Sequence, residues 1–279
     1  ENYFGSPYPY QKLDFIAVPN FTFGAMENVG LVTYRSSLLL LEDEPRLAEQ
    51  SSTLNVIAHE LAHMWYGNLV TMAWWDDLWL NEAFASWMAS KVMMDLYPEQ
   101  NFKGRLVQEG AFGADASPTV KPVKKVVKSQ TDVMDGLGLN YSKGESILQL
   151  IESMVGVEAF QKGVQTYMKN NAFSNAQADD LWKVLSTVAD FDVPAMMKTY
   201  LEQPSYPLVE FAANGEVSQS RYHLKGAEVE EQTWIVPLAI SYKKNGKISR
   251  SNMFLSSAKT MASELAEADW IFPNENAMG

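Results

Sequence analysis

The sequence predicts an α+β chain in two parts, a mixed helix-and-strand part over residues 1–203 and a small all-β sandwich over 204–279. Three observations predict it. Apolar residues recur at i, i+3, i+4 and i+7 over residues 54–65, and helical spacing returns from about Asp77 to Leu96, the period of helices that bury a flank. Two short runs rich in β-branched and aromatic residues precede them, Phe15-Ile16-Ala17-Val18 and Leu31-Val32-Thr33-Tyr34-Arg35, which read as strands. Beyond Pro204-Ser205-Tyr206-Pro207 the pattern changes to alternating strand-like runs, with Asn214-Gly215 and Asn245-Gly246 between them as hairpin signals.

A chain of 279 residues is long enough for a sizeable core and two domains. Hydrophobic residues at 47% and charged ones at 20% match a globular protein, and no apolar run is long enough to span a bilayer. A formal net charge of −12 argues against nucleic acid as a partner and favours cationic substrates in a general way. With no cysteine, disulfides and thiolate metal ligands are excluded. The chain opens at Glu1 with neither an initiator methionine nor a charged-then-apolar leader, so no signal peptide is expected in it.

Taken in order, Pro7 and Pro9 mark an irregular entry, and the run from Phe15 to Val18 is expected to be a buried strand. Gly24-Ala25-Met26-Glu27-Asn28 falls between the first two strands, at a turn or a sheet edge. Small side chains at Gly24 and Ala25 would let a second backbone approach and pair with that edge. Residues 42–49 are acidic, contain Pro45 and suit a linker, after which Ser51, Ser52 or Thr53 would cap a helix. Gly67-Asn68 is a stop signal, residues 69–75 an apolar connection, and Tyr97-Pro98 closes the second helix. On that helix Trp79, Trp87, Met88, Met93 and Met94 are packing residues. The pattern weakens between Asn101 and Leu139, where Lys121, Lys124, Lys125 and Lys128 read as a solvated loop rather than a phosphate site. A helix then runs through Ile147, Leu148, Ile151 and Met154, and others follow near 157–170, 176–190 and 194–203. The strand-like runs of the second part are 208–211, 217–224, 233–242, 251–255 and 269–272.

Chemistry concentrates in the first helix. His59 and His63 are four apart in Ala58-His59-Glu60-Leu61-Ala62-His63, so one helix face presents both imidazoles to one point. Glu60 sits beside that pair, close enough to hold a water at a metal without ligating it. Spacing alone also fits two buried histidines satisfied by backbone carbonyls. A catalytic zinc site wants a third protein ligand and one open position, and Glu82, in Leu80-Asn81-Glu82-Ala83-Phe84-Ala85-Ser86-Trp87, is a candidate for the third. Asp77 and Asn81 are candidates to orient the histidine ring N–H groups.

His59-Glu60-x-x-His63, eighteen further residues and then Glu82 inside Trp75-Asp76-Asp77-Leu78-Trp79-Leu80-Asn81-Glu82 is similar to the gluzincin arrangement of the M1 family of zinc aminopeptidases. Gly24-Ala25-Met26-Glu27-Asn28 matches that family's exopeptidase signature letter for letter, and Tyr141-Ser142-Lys143-Gly144 resembles the segment carrying its catalytic tyrosine. The chain departs from the family at Gly136-Leu137, where a Phe-Asp pair is usual.

The resemblance implies a thermolysin-like catalytic domain holding one Zn2+ through His59, His63 and Glu82, with Glu60 as general base. It implies that Tyr141 points its phenol at the scissile carbonyl oxygen, and that Gly24, Ala25, Met26, Glu27 and Asn28, together with Glu82, bind substrate. An α-amino group has a pKa near 8 and is charged at neutral pH, so the Glu27 carboxylate would select peptides with a free N-terminus. The expected activity is therefore removal of N-terminal residues from peptides, with Phe23 lining the first specificity pocket. Endopeptidase or epoxide hydrolase activity on the same architecture, or a non-catalytic binding scaffold, are the other readings; intact ligands, Glu60 and Tyr141 weigh against the scaffold. Family members also carry a β-rich domain before this segment and a helical domain at the far end. The chain is accordingly expected to be a fragment, and one reading is that it binds zinc and needs those flanking domains to turn over substrate.

Overall fold

The computed structural model describes residues 1–98 and 108–274, so the start of the weakly patterned stretch from Asn101 lies outside the described residues. The first part opens with a three-stranded sheet of order β1-β3-β2, built from β1 (Asp14–Val18), β2 (Ala25–Met26) and β3 (Leu31–Arg35). Central β3 runs parallel to β1 and antiparallel to β2. Val32 and Tyr34 of β3 are fully buried, whereas Phe15 and Ile16 of β1 are 39% and 43% exposed. The expectation of a buried strand at Phe15 to Val18 is thus corrected. β1 is an edge strand, and the described residues cover the centre of the sheet rather than this margin.

Helix α1 (Leu47–Ala62) starts earlier than the Ser51, Ser52 or Thr53 cap would place it. The Arg46 backbone N–H donates to the Glu49 carboxylate at 2.9 Å, so an acidic residue in the first turn answers the open N–H groups and the helix dipole. Ser51 and Thr53 are instead buried inside the helix. Chain reversal after α1 leads through β4 (Val70–Met72) into α2 (Leu78–Leu96). This second helix is buried nearly all round, with Leu78, Trp79, Leu80, Ala83, Phe84, Ala85, Trp87, Met88, Ala89 and Met93 inside, as befits the central rod of an α-helical layer. Four of the five predicted packing residues are in that core, and Met94 is half-buried.

Next come α3 (Glu109–Asp115), α4 (Gln130–Met134), α5 (Leu137–Val155) and α6 (Val157–Asn171). Short strand β5 (Ser174–Ala176), α7 (Ala178–Leu185) and α8 (Val193–Leu201) complete the first part. α2 lies between α1 and α5. At the α2–α5 crossing a Cβ on Gly144 would lie 2.6 Å from Ala83 Cβ, so only glycine permits this approach. β4 pairs in parallel with β5, Val70 with Ser174 through Met72 with Ala176, a long-range ladder inside what the sequence presents as a plain connection. The lysine run is a loop: Lys121 pairs with Asp135 at 2.6 Å and Lys124 with Asp77 at 3.5 Å.

The second part comprises two three-stranded antiparallel sheets. One holds β6 (Pro207–Phe211), β7 (Glu216–Arg221) and β10 (Lys259–Met261) in the order β10-β7-β6. The other holds β8 (Val236–Lys244), β9 (Lys247–Leu255) and β11 (Trp270–Phe272) in the order β11-β8-β9. Val217, Trp234, Val236, Leu238, Ile240, Leu255 and Leu265 form their shared core, separate from the helical one. Asn245 and Gly246 both take positive φ, 53° and 77°, as a tight hairpin between β8 and β9 requires. Among the described residues no helix is long and apolar enough to cross a membrane.

Candidate metal centre

α1 and α2 bring three ligand atoms to one point. His59 and His63, one turn apart at the end of α1, face Glu82 on the second turn of α2. His59 Nε2 lies 3.0 Å from His63 Nε2 and 3.3 Å from Glu82 Oε2, and His63 Nε2 lies 3.5 Å from the same oxygen. Tetrahedral ligands about 2.0–2.1 Å from a zinc ion stand about 3.3 Å apart, so the triangle has the dimensions of such a site. Among the described residues it is the group of histidine and acidic side chains close enough to share a metal ion.

Both imidazoles are oriented from behind. His63 Nδ1–H donates to the Tyr66 carbonyl at 2.8 Å, and His59 Nδ1 lies 3.3 Å from Ser86 Oγ, a hydroxyl able to accept its N–H. With Nδ1 of each ring turned to these partners, Nε2 is the nitrogen left to face a metal ion. The Tyr66 carbonyl reaches His63 because the chain doubles back at Gly67, whose φ is +113° and whose Cβ would sit 3.3 Å from both His63 Nδ1 and Asn81 Nδ2. Asp77 and Asn81, the sequence-based candidates for this role, are engaged elsewhere. Asp77 accepts from Trp79 Nε1 and from the Ala178 N–H, tying α2 to the start of α7, while Asn81 packs against Gly67. Ser86 was legible in principle, since it lies four residues after Glu82 on the same helix face; the Tyr66 carbonyl, a backbone group, was not.

Charge around the triangle favours a cation. Burial lowers His59 below the ordinary imidazole value. It also lowers His63, but the hydrogen bond to Glu82 and the Glu82, Glu27 and Glu60 carboxylates outweigh it and push His63 up to about 9. Burial would raise Glu82, yet the two imidazoles hold it far below the usual carboxylate range. Glu60 is raised to about 8, by burial first and then by Glu27 and Glu82, against the opposing pull of His63. Its residue is 5% exposed, and Oε2 has no hydrogen-bond partner among the described residues, an uncommon state for a buried carboxyl oxygen.

Of the remaining predicted residues, Tyr141 and Glu27 stand beside the triangle, and the rest of the Gly24 to Asn28 motif lies along the sheet margin. The Tyr141 ring, on the second turn of α5, stacks on His59 with centroids 5.7 Å apart. Burial, followed by the neighbouring Glu82 carboxylate, holds its phenol above the ordinary range, so it stays protonated and able to donate. Glu27 Oε1 lies 3.9 Å from His63 Nδ1, and the Glu27 carbonyl accepts from Asn68 Nδ2 at 2.8 Å. Ala25 and Met26 form β2 at the sheet margin, Gly24 leads into it with its carbonyl accepting from Arg35 N–H at 2.8 Å, and Asn28 Nδ2 donates to Thr33 Oγ1 at 3.3 Å. The outer edge of β2 pairs with no strand among the described residues. Phe23 is 49% exposed just before it.

Residues 1–200 match the Peptidase family M1 domain. Over 255 residues the chain is 40% identical to a leucyl aminopeptidase of Saccharolobus solfataricus, an alignment covering 89% of this chain and 32% of that protein. It is 37% identical over 274 residues to aminopeptidase M1 of Arabidopsis thaliana, covering 96% and 31%. Aminopeptidase M1-B of Oryza sativa subsp. japonica is 36% identical over 296 residues, covering 100% and 34%. The chain thus spans about a third of the length of the curated relatives it matches.

Proposed function

Because this chain belongs to peptidase family M1, we propose that it is the catalytic segment of a zinc aminopeptidase, with a catalytic domain over residues 1–203 and a β-sandwich over 204–279. His59, His63 and Glu82 would hold one zinc ion, for which the separation of their ligand atoms and the partners behind each Nδ1 are suited. When bound, zinc supplies Lewis-acid polarisation of a carbonyl and lowers the pKa of a water to about 7.

The chain's own residues do the rest. Glu60, buried beside the triangle with Oε2 unpartnered among the described residues, takes the proton of the attacking water and passes it to the leaving amine. Tyr141 donates its phenolic hydrogen to the oxyanion as it develops, a contact typically worth about 3–4 kcal/mol. The free edge of β2 receives the substrate backbone, with Gly24 and Ala25 allowing close approach and Met26 and Asn28 flanking it. Glu27, with Glu82, holds the α-ammonium group of the first residue.

The single observation that carries the aminopeptidase reading is the Glu27 carboxylate standing 3.9 Å from His63. A second acid beside the ligand triangle can hold the charged end of a peptide whose first bond lies at the metal. The test is hydrolysis of leucine and alanine para-nitroanilides beside their N-acetylated forms, with zinc content determined on the same sample. Cleavage of the free amines alone supports the reading. Equal cleavage of the acetylated substrates would replace it with an endopeptidase.

A further inference from the structure

The helix that presents Tyr141 is fastened within the same turn to the opening of the C-terminal sheets. The Lys143 ammonium lies 2.9 Å from Asp115 Oδ2 and donates to the Ser205 carbonyl at 2.8 Å. The Ser205 N–H donates to Asp115 Oδ1 at 3.0 Å, and Ser205 Oγ donates to the Tyr222 carbonyl at 2.8 Å. These contacts close a ring between the end of α3, α5 and the segment entering β6, with a further tie to the end of β7. Lys143, Asp115 and Ser205 are 6%, 2% and 1% exposed, so the two charges are largely shielded from bulk water. Ser205 also adopts a φ of +69°, a conformation that a non-glycine residue keeps only when its surroundings fix it.

Position on the helix gives the ring its consequence. Residues two apart on a helix project about 200° from one another, so Lys143 grips α5 from the side opposite Tyr141. Gly144 meanwhile seats α5 directly on Ala83, the neighbour of Glu82. Held at Lys143 and at Gly144, about 100° apart around its axis, the helix cannot roll without breaking a buried ion pair. Such pairs add little to stability relative to apolar replacements, and their directionality is the property an apolar pair lacks.

We propose that Asp115, Lys143 and Ser205 form a clasp that positions Tyr141 over the metal centre, an inference that rests on the role given above to Tyr141. The C-terminal sheets are then part of the catalytic apparatus and not a spacer. Lys143 and Asp115 touch no substrate; they are positioning residues.

The test compares the whole chain with the double variant Lys143→Met, Asp115→Leu, which removes both charges of the pair together while the Ser205 N–H and carbonyl lose their side-chain partners, and with Asp115→Asn as a milder second variant. Chains labelled with 3-fluorotyrosine are read by fluorine NMR with and without zinc, the Tyr141 resonance being the one missing from Tyr141→Phe. The expected result is a shifted or split Tyr141 resonance in both clasp variants while those of Tyr66 and Tyr167 stay in place. An unmoved Tyr141 resonance overturns the proposal, whatever happens to the melting temperature. In hydrolysis, the clasp variants are expected to lose about 10- to 100-fold in kcat with KM and zinc content retained, and to lose nothing more when Tyr141→Phe is already present. Additive losses in the two backgrounds would mean a merely structural role and overturn it as well. If Tyr141→Phe by itself leaves kcat at the parental value, the catalytic role of Tyr141 falls, and the resonance still decides whether the clasp positions it.

Discussion

Replacing Gly144 by alanine isolates the α2–α5 crossing. In an exposed helix this change stabilises by about 1 kcal/mol through helix propensity. Here the new methyl would stand 2.6 Å from Ala83 Cβ and 3.7 Å from Ala83 Cα. Ordinary carbon contacts lie at about 3.5–4.0 Å, and neither Cβ has a rotamer by which to escape, so the helices must part by about 1 Å. Overpacking of that kind costs about 1–3 kcal/mol, and parting also loosens the contacts along both helices, so the net expectation is about 2 kcal/mol of destabilisation. At about 2–4 °C per kcal/mol for a chain of this size, that is a fall of about 4–8 °C in Tm. Because Ala83 adjoins Glu82 and Gly144 follows Tyr141 by three residues, a shift near 1 Å there is expected to lower kcat by up to about 100-fold. Thermal unfolding and para-nitroanilide hydrolysis read the two effects. Gly113→Ala, at a helical glycine with nothing within 4 Å of its Cβ, is the control and should be neutral or stabilising. If Gly144→Ala behaved like that control, the close crossing would not be what sets the site.

Three further outcomes are expected. Glu60→Gln should retain zinc and abolish hydrolysis, since Gln keeps the shape and loses the proton acceptor; turnover at the parental rate would remove Glu60 as general base. Ser86→Ala frees the His59 ring and should weaken zinc binding about 10- to 100-fold in a chelator competition, whereas unchanged affinity would show that Tyr66 and packing alone orient the pair. The folded values of His63 and Glu60 are raised from 6.5 to about 9 and from 4.5 to about 8. Their protonated forms therefore stabilise the metal-free fold below the unfolded values, and that contribution is lost as pH rises through the folded ones. Tm of the metal-free chain should fall between pH 6.5 and 9, and zinc should bind more tightly over the same window because it displaces the His63 proton. A flat Tm across that range would contradict both assignments.

Much of the site was legible because it is written in helix periodicity. His59, Glu60 and His63 share a turn, and Glu82 opens a second helix with so many apolar neighbours that it had to run through the core. The resemblance to a known family pointed to Tyr141 and to the Gly24 to Asn28 motif, of which the structure sets the Tyr141 ring on His59 and the Glu27 carboxylate 3.9 Å from His63. What the sequence left dark depends on backbone direction or on distant partners. The Tyr66 carbonyl aims at His63 only because of the turn at Gly67, and no side-chain pattern announces it. β4 is too short to signal a strand, and its partner β5 lies about a hundred residues on. The early start of α1 came from Glu49 answering the Arg46 N–H, a contact that competes with the hydroxyl residues further along. β1 carried the composition of a buried strand while lying at an edge, because composition records what a strand packs against somewhere and not which of its margins this chain covers.

The support behind His63 has a particular genetic character. Since it is a main-chain oxygen that receives the imidazole proton, no replacement at Tyr66 deletes the acceptor, and a survey by single-residue replacement would report that His63 stands without help. The Ser86 hydroxyl behind His59 is open to mutation at every generation. One half of the metal centre is thus shielded from drift in its tuning and the other is adjustable. Differences in metal affinity among related chains are expected to trace to the residue at position 86, or to changes at Gly67 that swing the carbonyl away.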